Sequence, residues 1–196
     1  PTVPVKDENN FYTEPSEINQ LKNGGRINNQ KDFLYQQVQL TIKPTTNWNI
    51  VANVNYRITT QNNHANVLKA YANGVDGEQF PIPVASNSAG HTAVSEYNNK
   101  DEYFSTNFFS DYTFSLPSGH DFKVLAGFNS ELNKFRDIAG GRTGLITDNM
   151  PTLNTATNNP TVSGAYNHWS TAGFFGRLNY SYQDRYLLEV NARYDG

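Results

Sequence analysis

The chain has 196 residues, a formal net charge of -3, 37% hydrophobic and 13% aromatic residues, and no cysteine. The charge lacks the clustered lysine and arginine of a nucleic-acid interface, and without cysteine there is no disulfide framework and no thiol chemistry. No run approaches the ~20 apolar residues of a membrane helix, which leaves a β-barrel open, because a barrel strand is only half apolar.

The start, Pro1-Thr2-Val3-Pro4, is not a signal peptide. Residues 1–32 show no periodicity and read as an irregular loop region, with a helical turn near Pro15 to Leu21. Asp7-Glu8-Asn9-Asn10 offers oxygen ligands without the spacing of a calcium loop, and reads as a solvated loop. The wall proper is expected over 33–196. Phe33 to Lys43 alternates as a first strand, with Leu34, Val38, Leu40 and Ile42 on one face. Pro44-Thr45-Thr46 turns the chain into a second strand, Asn47 to Thr60. There Trp48, Ile50, Ala52, Val54, Tyr56 and Ile58 oppose Asn49, Asn53, Asn55 and Arg57, with Val51 the apolar exception.

A long connection is expected over about 61–100. It is followed by a third strand, Tyr103 to Leu116, in which Phe104, Phe108, Tyr112 and Phe114 oppose Ser105, Asn107, Asp111 and Thr113; Phe109 breaks the pattern. Pro117-Ser118-Gly119 makes the next turn. The fourth strand, His120 to Phe135, sets Phe122, Val124, Ala126, Phe128 and Leu132 against Lys123, Asn129, Glu131 and Asn133. A second long connection spans about 136–167. The last hairpin runs from Phe174 to Gly196 and turns at Gln183-Asp184-Arg185. Matching its apolar faces favours a three-residue loop with Tyr182 opposite Tyr186 and Tyr180 opposite Leu188. The same argument pairs Ile42 with Trp48 and Phe114 with Phe122.

Short turns therefore alternate with long connections, as periplasmic turns and extracellular loops do in outer-membrane barrels. Charges within the strands fall on odd positions, Arg57, Asp111, Lys123, Glu131, Arg177, Glu189 and Arg193, and the even face is free of charge until Lys134, at a strand end. A lysine or arginine at a bilayer midplane costs ~2–4 kcal/mol, so the even face suits lipid. Its expected lipid-facing residues are Trp48, Ile50, Val54, Phe108, Tyr112, Val124, Phe128, Leu178 and Leu188. Trp48, Phe114, Phe122, Tyr182 and Tyr186 lie beside the short turns, where an interfacial aromatic girdle belongs. A soluble β-sandwich that binds carbohydrate or acts as an adhesin would segregate charge in the same way.

The final hairpin, FFGRLNYSYQDRYLLEVNARYDG, resembles a signature of SusC/RagA-type TonB-dependent outer-membrane transporters. The matching residues are Phe175, Gly176, Arg177, Asn179, Tyr180, Asp184, Arg185, Tyr186, Arg193, Asp195 and Gly196. Gly119 to Phe128 resembles a further strand of that family less specifically. The run stops inside the strand pattern at Gly196, so the chain is expected to be an internal piece of barrel wall. The resemblance implies an antiparallel up-and-down transmembrane barrel of about 22 strands around a plug, of which this chain supplies about six strands and two long extracellular loops.

It also implies a bacterial outer-membrane setting among lipid, and import of glycan or peptide substrate with a SusD-like surface lipoprotein as lid. TonB would supply the drive through a plug region that has no counterpart in these residues. Tyr71, Tyr97, Trp169, Arg57 and Arg193 are the candidates for substrate or lid contact, although loop packing or strand pairing accounts for each more simply. No cofactor is expected. No metal site is expected from His64, His91, His120 or His168, and no nucleophile or base is assembled for catalysis.

Overall fold

The structure is a computed structural model that describes residues 6–8, 11–13, 17–74, 76–85 and 87–196. The elements are helix α1 (Glu17–Asn23), strands β1 (Gly25–Thr45), β2 (Trp48–Val67), β3 (Ala70–Asn73), β4 (Gln79–Ile82), β5 (Ala93–Leu116) and β6 (His120–Leu145), a 3-10 turn at Leu153–Thr155, and strands β7 (Ala156–Tyr182) and β8 (Tyr186–Asp195). One sheet has the order β1-β2-β5-β6-β7-β8 and a second pairs β3 with β4. Each long strand thus lies beside its predecessor among the long strands, the meander of an up-and-down barrel wall. Among the described residues no helix is long and apolar enough to cross a membrane.

The strands are longer than apolar alternation marks. β1 begins at Gly25, β2 continues to Val67, β5 starts at Ala93, and β6 and β7 run to Leu145 and from Ala156. The connections expected over 61–100 and 136–167 shrink accordingly, and the first contains the β3–β4 hairpin. The extensions are polar on both faces, as in Gln61-Asn62-Asn63-His64. Backbone pairing continues there without a period-two apolar signal, because the ladder bonds are made by main chain. Extending β5 also puts Lys100 and Glu102 on the even face, which sequence reading held free of charge as far as Lys134. The expected helical turn is α1. Pro15 and Ser16 lie outside the described residues, as do Pro1 to Pro4, Asn9 and Asn10.

The chain divides into two compact units. The first comprises 1–31, 60–99 and 137–165 and holds the buried apolar residues. Ala70, Ala72, Ile82 and Val84 form one small cluster, with Ala70 opposite Ile82 and Ala72 opposite Phe80. Val94, Leu145 and Ala156 form another, against Leu68 and Leu153. α1 has Glu17 in its first turn and Lys22 in its last, each complementing the helix dipole. It is tied to β3 by its buried Asn19, whose amide donates to the Tyr71 carbonyl at 2.8 Å.

The second unit comprises 32–59, 100–136 and 166–196 and is strand and tight turn throughout. Its even face carries a continuous run of rings. Trp48 meets Tyr112 edge-on at 6.4 Å, Tyr112 meets Phe114 at 5.9 Å, Phe114 stacks on Phe122 at 5.1 Å and Phe122 meets Tyr180 at 5.0 Å. Phe128 and Phe174 add a further pair at 5.2 Å. The β7–β8 register sets Tyr182 opposite Tyr186 and Tyr180 opposite Leu188, as the alternation favours. Pairing of like with like makes each face chemically continuous across strands.

Candidate functional site

The odd face of the second unit is a ladder of polar side chains bonded across strands. Near the first turn, the Asn49 amide donates to Asp111 at 2.9 Å. Further along, Asn55 donates to Ser105 at 3.2 Å and accepts from the Tyr35 hydroxyl at 3.1 Å. Next on β2 comes Arg57, whose guanidinium lies over the Tyr103 ring, 5.2 Å from its centroid, with Nη2 3.9 Å from Asp101. Asp101 also accepts from Asn133 on β6 at 2.7 Å. The Trp169 ring on β7 reaches Tyr103 at 6.3 Å, tilted by 54°. Arg57, Asp101, Tyr103, Asn133 and Trp169 therefore form one aromatic and hydrogen-bonding cluster drawn from four strands.

A second cluster occupies the final hairpin. The Arg177 Nε donates to Asn191 at 2.7 Å and lies 3.9 Å from Glu189, which itself accepts from Asn191 at 2.7 Å. The Arg193 Nε donates to Asp195 at 2.7 Å, and its Nη2 reaches Asn129 at 3.3 Å. Arg177 and Arg193 flank a shallow recess of about 440 Å³ whose floor includes Leu125, Phe175 and Gly176. Phe109, an apolar residue on the odd face, packs beside it: Gly127 leaves the space that Phe175 and Phe109 fill. Asn53 Oδ1, Asn179 Oδ1 and Ser181 Oγ, all on odd positions, are buried with no hydrogen-bond partner among the described residues.

The five candidates from sequence thus fall in different places. Arg57 and Trp169 meet through Tyr103, and Arg193 belongs to the hairpin cluster. Tyr97 lies in the first unit, where its hydroxyl accepts from Asn99 at 3.2 Å and its residue lines a recess of about 270 Å³ with Asn63, Ser95, Gly141 and Thr161. Tyr71 sits on β3 in the same unit, with its ring partly exposed. Sequence reading missed Tyr103, Asp101 and Asn133 as partners. The available signal was parity, since Tyr103 is an aromatic residue at an odd position. Among the described residues, no three His, Asp or Glu side chains are grouped to hold a metal ion.

Long antiparallel strands paired in sequence order, with polar and apolar faces separated over the middle of the sheet, are the pattern of a β-barrel wall. The comparisons agree. The chain superposes on the RagAB peptide transporter with a TM-score of 0.74 over 87% of its length, at 16% identity. It folds like part of the β-barrel wall of that transporter. Structures of the RagAB peptide importer in its closed-closed and open-open states give TM-scores of 0.73 and 0.74 over the same share of the chain. A TonB-dependent receptor of Formosa agariphila is 30% identical over 88 residues, 43% of this chain. The chain spans 9% of that receptor and 18% of the solved transporter chains. No protein-family model matches it. The proteins it resembles are named as a TonB-dependent receptor and a peptide transporter.

Proposed function

We propose that the chain forms part of the wall of a TonB-dependent outer-membrane transporter. That transporter imports oligosaccharides or peptides with a SusD-like surface lipoprotein as its partner. The observation that carries this reading is the separation of the two faces. Odd positions hold the guanidinium, carboxylate and amide ladder with a few rings among it, and even positions between the short turns and the level of Glu102 and Lys134 hold rings and aliphatic residues. In this reading the even face meets lipid through Trp48, Ile50, Val54, Phe108, Tyr112, Val124, Phe128, Leu178 and Leu188, and the odd face lines the lumen. The role is binding and passage, with no bond made or broken by these residues.

Within the lumen, Arg57, Tyr103 and Trp169 are the substrate contacts. Aromatic faces accept sugar rings and apolar peptide side chains, and the guanidinium and neighbouring amides bind carboxylates, hydroxyls and peptide carbonyls. Tyr71 and Tyr97 are assigned to loop and lid contact. Arg193 stays a lumenal contact beside its Asp195 partner. The RagAB likeness favours peptides, and the aromatic cluster suits either class.

The test is uptake by the complete transporter. Labelled peptide and oligosaccharide pools are offered to cells carrying Trp169→Ala, Arg57→Ala or the unaltered protein, with and without TonB. The reading expects TonB-dependent uptake of one pool, reduced about tenfold by either substitution while surface abundance holds. Uptake equal in all three, or unaffected by loss of TonB, would contradict it.

A further inference from the structure

The even face of the second unit loses its apolar character at one level on several adjacent strands. On β5, Phe104 is followed along the same face by Glu102 and Lys100; on β6, Leu132 is followed by Lys134 and Arg136. On β7 the even positions beyond the aromatic run are His168 and Tyr166, stacked at 5.5 Å. On β2 the last even-face ring is Tyr56, whose hydroxyl donates to Glu102 at 2.9 Å.

Pairing fixes how these residues meet. Phe128 faces Phe174 and Phe122 faces Tyr180 at one common offset. The same offset recurs where the Ala165 amide donates to Asp137. Continued along unbroken strands, it sets Lys134 against His168 and Arg136 against Tyr166. On the other side, the Phe114–Phe122 pair extends to Glu102 against Lys134 and Lys100 against Arg136. Neighbouring strands are about 5 Å apart, and alternate residues on one strand roughly 7 Å. Lys100, Lys134 and Arg136 thus fall within reach of one small anion.

Among the described residues their charges are only partly balanced. Glu102 is engaged by Lys100, at 3.0 Å from its Nζ, and by Tyr56. Lys134 lies in electrostatic reach of the same carboxylate. Among the described residues neither Lys134 nor Arg136 has an ion-pair partner, and both side chains are exposed. Lys100, Lys134 and Arg136 thus outnumber Glu102 and, on β1, Asp32 as even-position charges towards this edge of the second unit.

We propose that Lys100, Lys134 and Arg136 bind the phosphate of an anionic lipid in the outer leaflet of the membrane. This rests on the reading in which the even face meets lipid. A cation costs several kcal/mol at the bilayer midplane and little at the interface, so the belt edge is where these three can stand. The anion at that level is a lipid headgroup. Arg136 can offer it a bidentate fork, Lys134 and Lys100 point charges, and Tyr56 and Tyr166 are amphipathic rings suited to the same level.

The test uses the complete transporter, purified and placed in phosphatidylcholine bilayers containing phosphatidylglycerol. Retained lipid is read by native mass spectrometry for the unaltered protein and for Lys134→Gln/Arg136→Gln. A cation near an anionic surface is worth about fivefold in binding, so the double variant should lose preferential phosphatidylglycerol retention by roughly tenfold or more. Tryptophan reporters at Leu132→Trp (even) and Asn133→Trp (odd) are tested in parallel against brominated lipid, each read as the quenching added over the unaltered protein with its native Trp48 and Trp169.

Loss of retention with quenching only at Leu132→Trp supports the site. Equal retention in both proteins, with that quenching intact, overturns the phosphate site and leaves the lipid-facing reading standing. Quenching at Asn133→Trp instead of Leu132→Trp overturns both. Displacement of the retained lipid by millimolar inorganic phosphate would mark a free-phosphate site and overturn the lipid assignment.

Discussion

Tyr182 stands directly opposite Tyr186, and their rings stack at 6.4 Å across a three-residue turn. That pair closes the hairpin with its even faces matched. The turn achieves this with two non-glycine residues in the left-handed region, Gln183 at φ 51° and Asp184 at φ 54°. The Gln183 amide is held by the Gly119 carbonyl at 2.7 Å, which joins this turn to the neighbouring one.

The left-handed conformation costs an L-residue roughly 1–2 kcal/mol, and costs β-branched residues most. Asp184→Gly should therefore stabilise the hairpin by about 1 kcal/mol, and Asp184→Val should destabilise it by at least as much. Denaturant unfolding of the micelle-bound complete protein reads both. Destabilisation by glycine would show that the Asp184 side chain itself holds the turn.

Gly127 faces Phe175 and Phe109 on the odd side. A methyl added there would lie 2.8 Å from the Phe109 Cβ and closer still to the Phe175 ring. Overpacking of this kind costs ~1–3 kcal/mol. Gly127→Ala is expected to destabilise by that amount, and Phe175→Leu in the same chain to recover part of it. If Gly127→Ala alone left the unfolding midpoint unchanged, the apolar patch would be looser than described.

Arg177 and Glu189 lie diagonally across β7 and β8 at 3.9 Å, both about half exposed. Diagonal pairs of opposite charge are worth ~0.2–1 kcal/mol, and exposure puts this one at the lower end. A double-mutant cycle of Arg177→Gln and Glu189→Gln should return that coupling, shrinking with added salt. Coupling above the range would mean the pair is shielded from solvent in the assembled barrel.

The strands and the final register were legible because one face is apolar over the depth of the belt. Period-two alternation is a direct record of that asymmetry. The ends of β2, β5, β6 and β7 were not legible. Asn63, His64, Asn66 and their neighbours are polar on both faces, and nothing in side-chain chemistry marks a ladder that main chain alone sustains. The β3–β4 hairpin escaped for a different reason: its core is Ala70, Ala72, Ile82 and Val84, too small and too interrupted by Pro81 and Pro83 to read as a strand pair. For the site, Arg57 stood out as a charge on a regular strand. Trp169, by contrast, was placed near the end of a connection. Its position on β7 near Tyr103 needed the strand pairing that the polar extension conceals.

The central claim is that even positions face lipid and odd positions face the lumen. Val54 and Asn53 are adjacent on β2 and point to opposite faces. The direct measurement is outer-membrane assembly of the complete transporter carrying Val54→Arg or Asn53→Arg, read as the folded fraction in isolated outer membranes. The claim predicts a loss of ~2–4 kcal/mol and little folded protein for Val54→Arg, with near-normal assembly for Asn53→Arg. Equal assembly of the two, or a defect confined to Asn53→Arg, would contradict it.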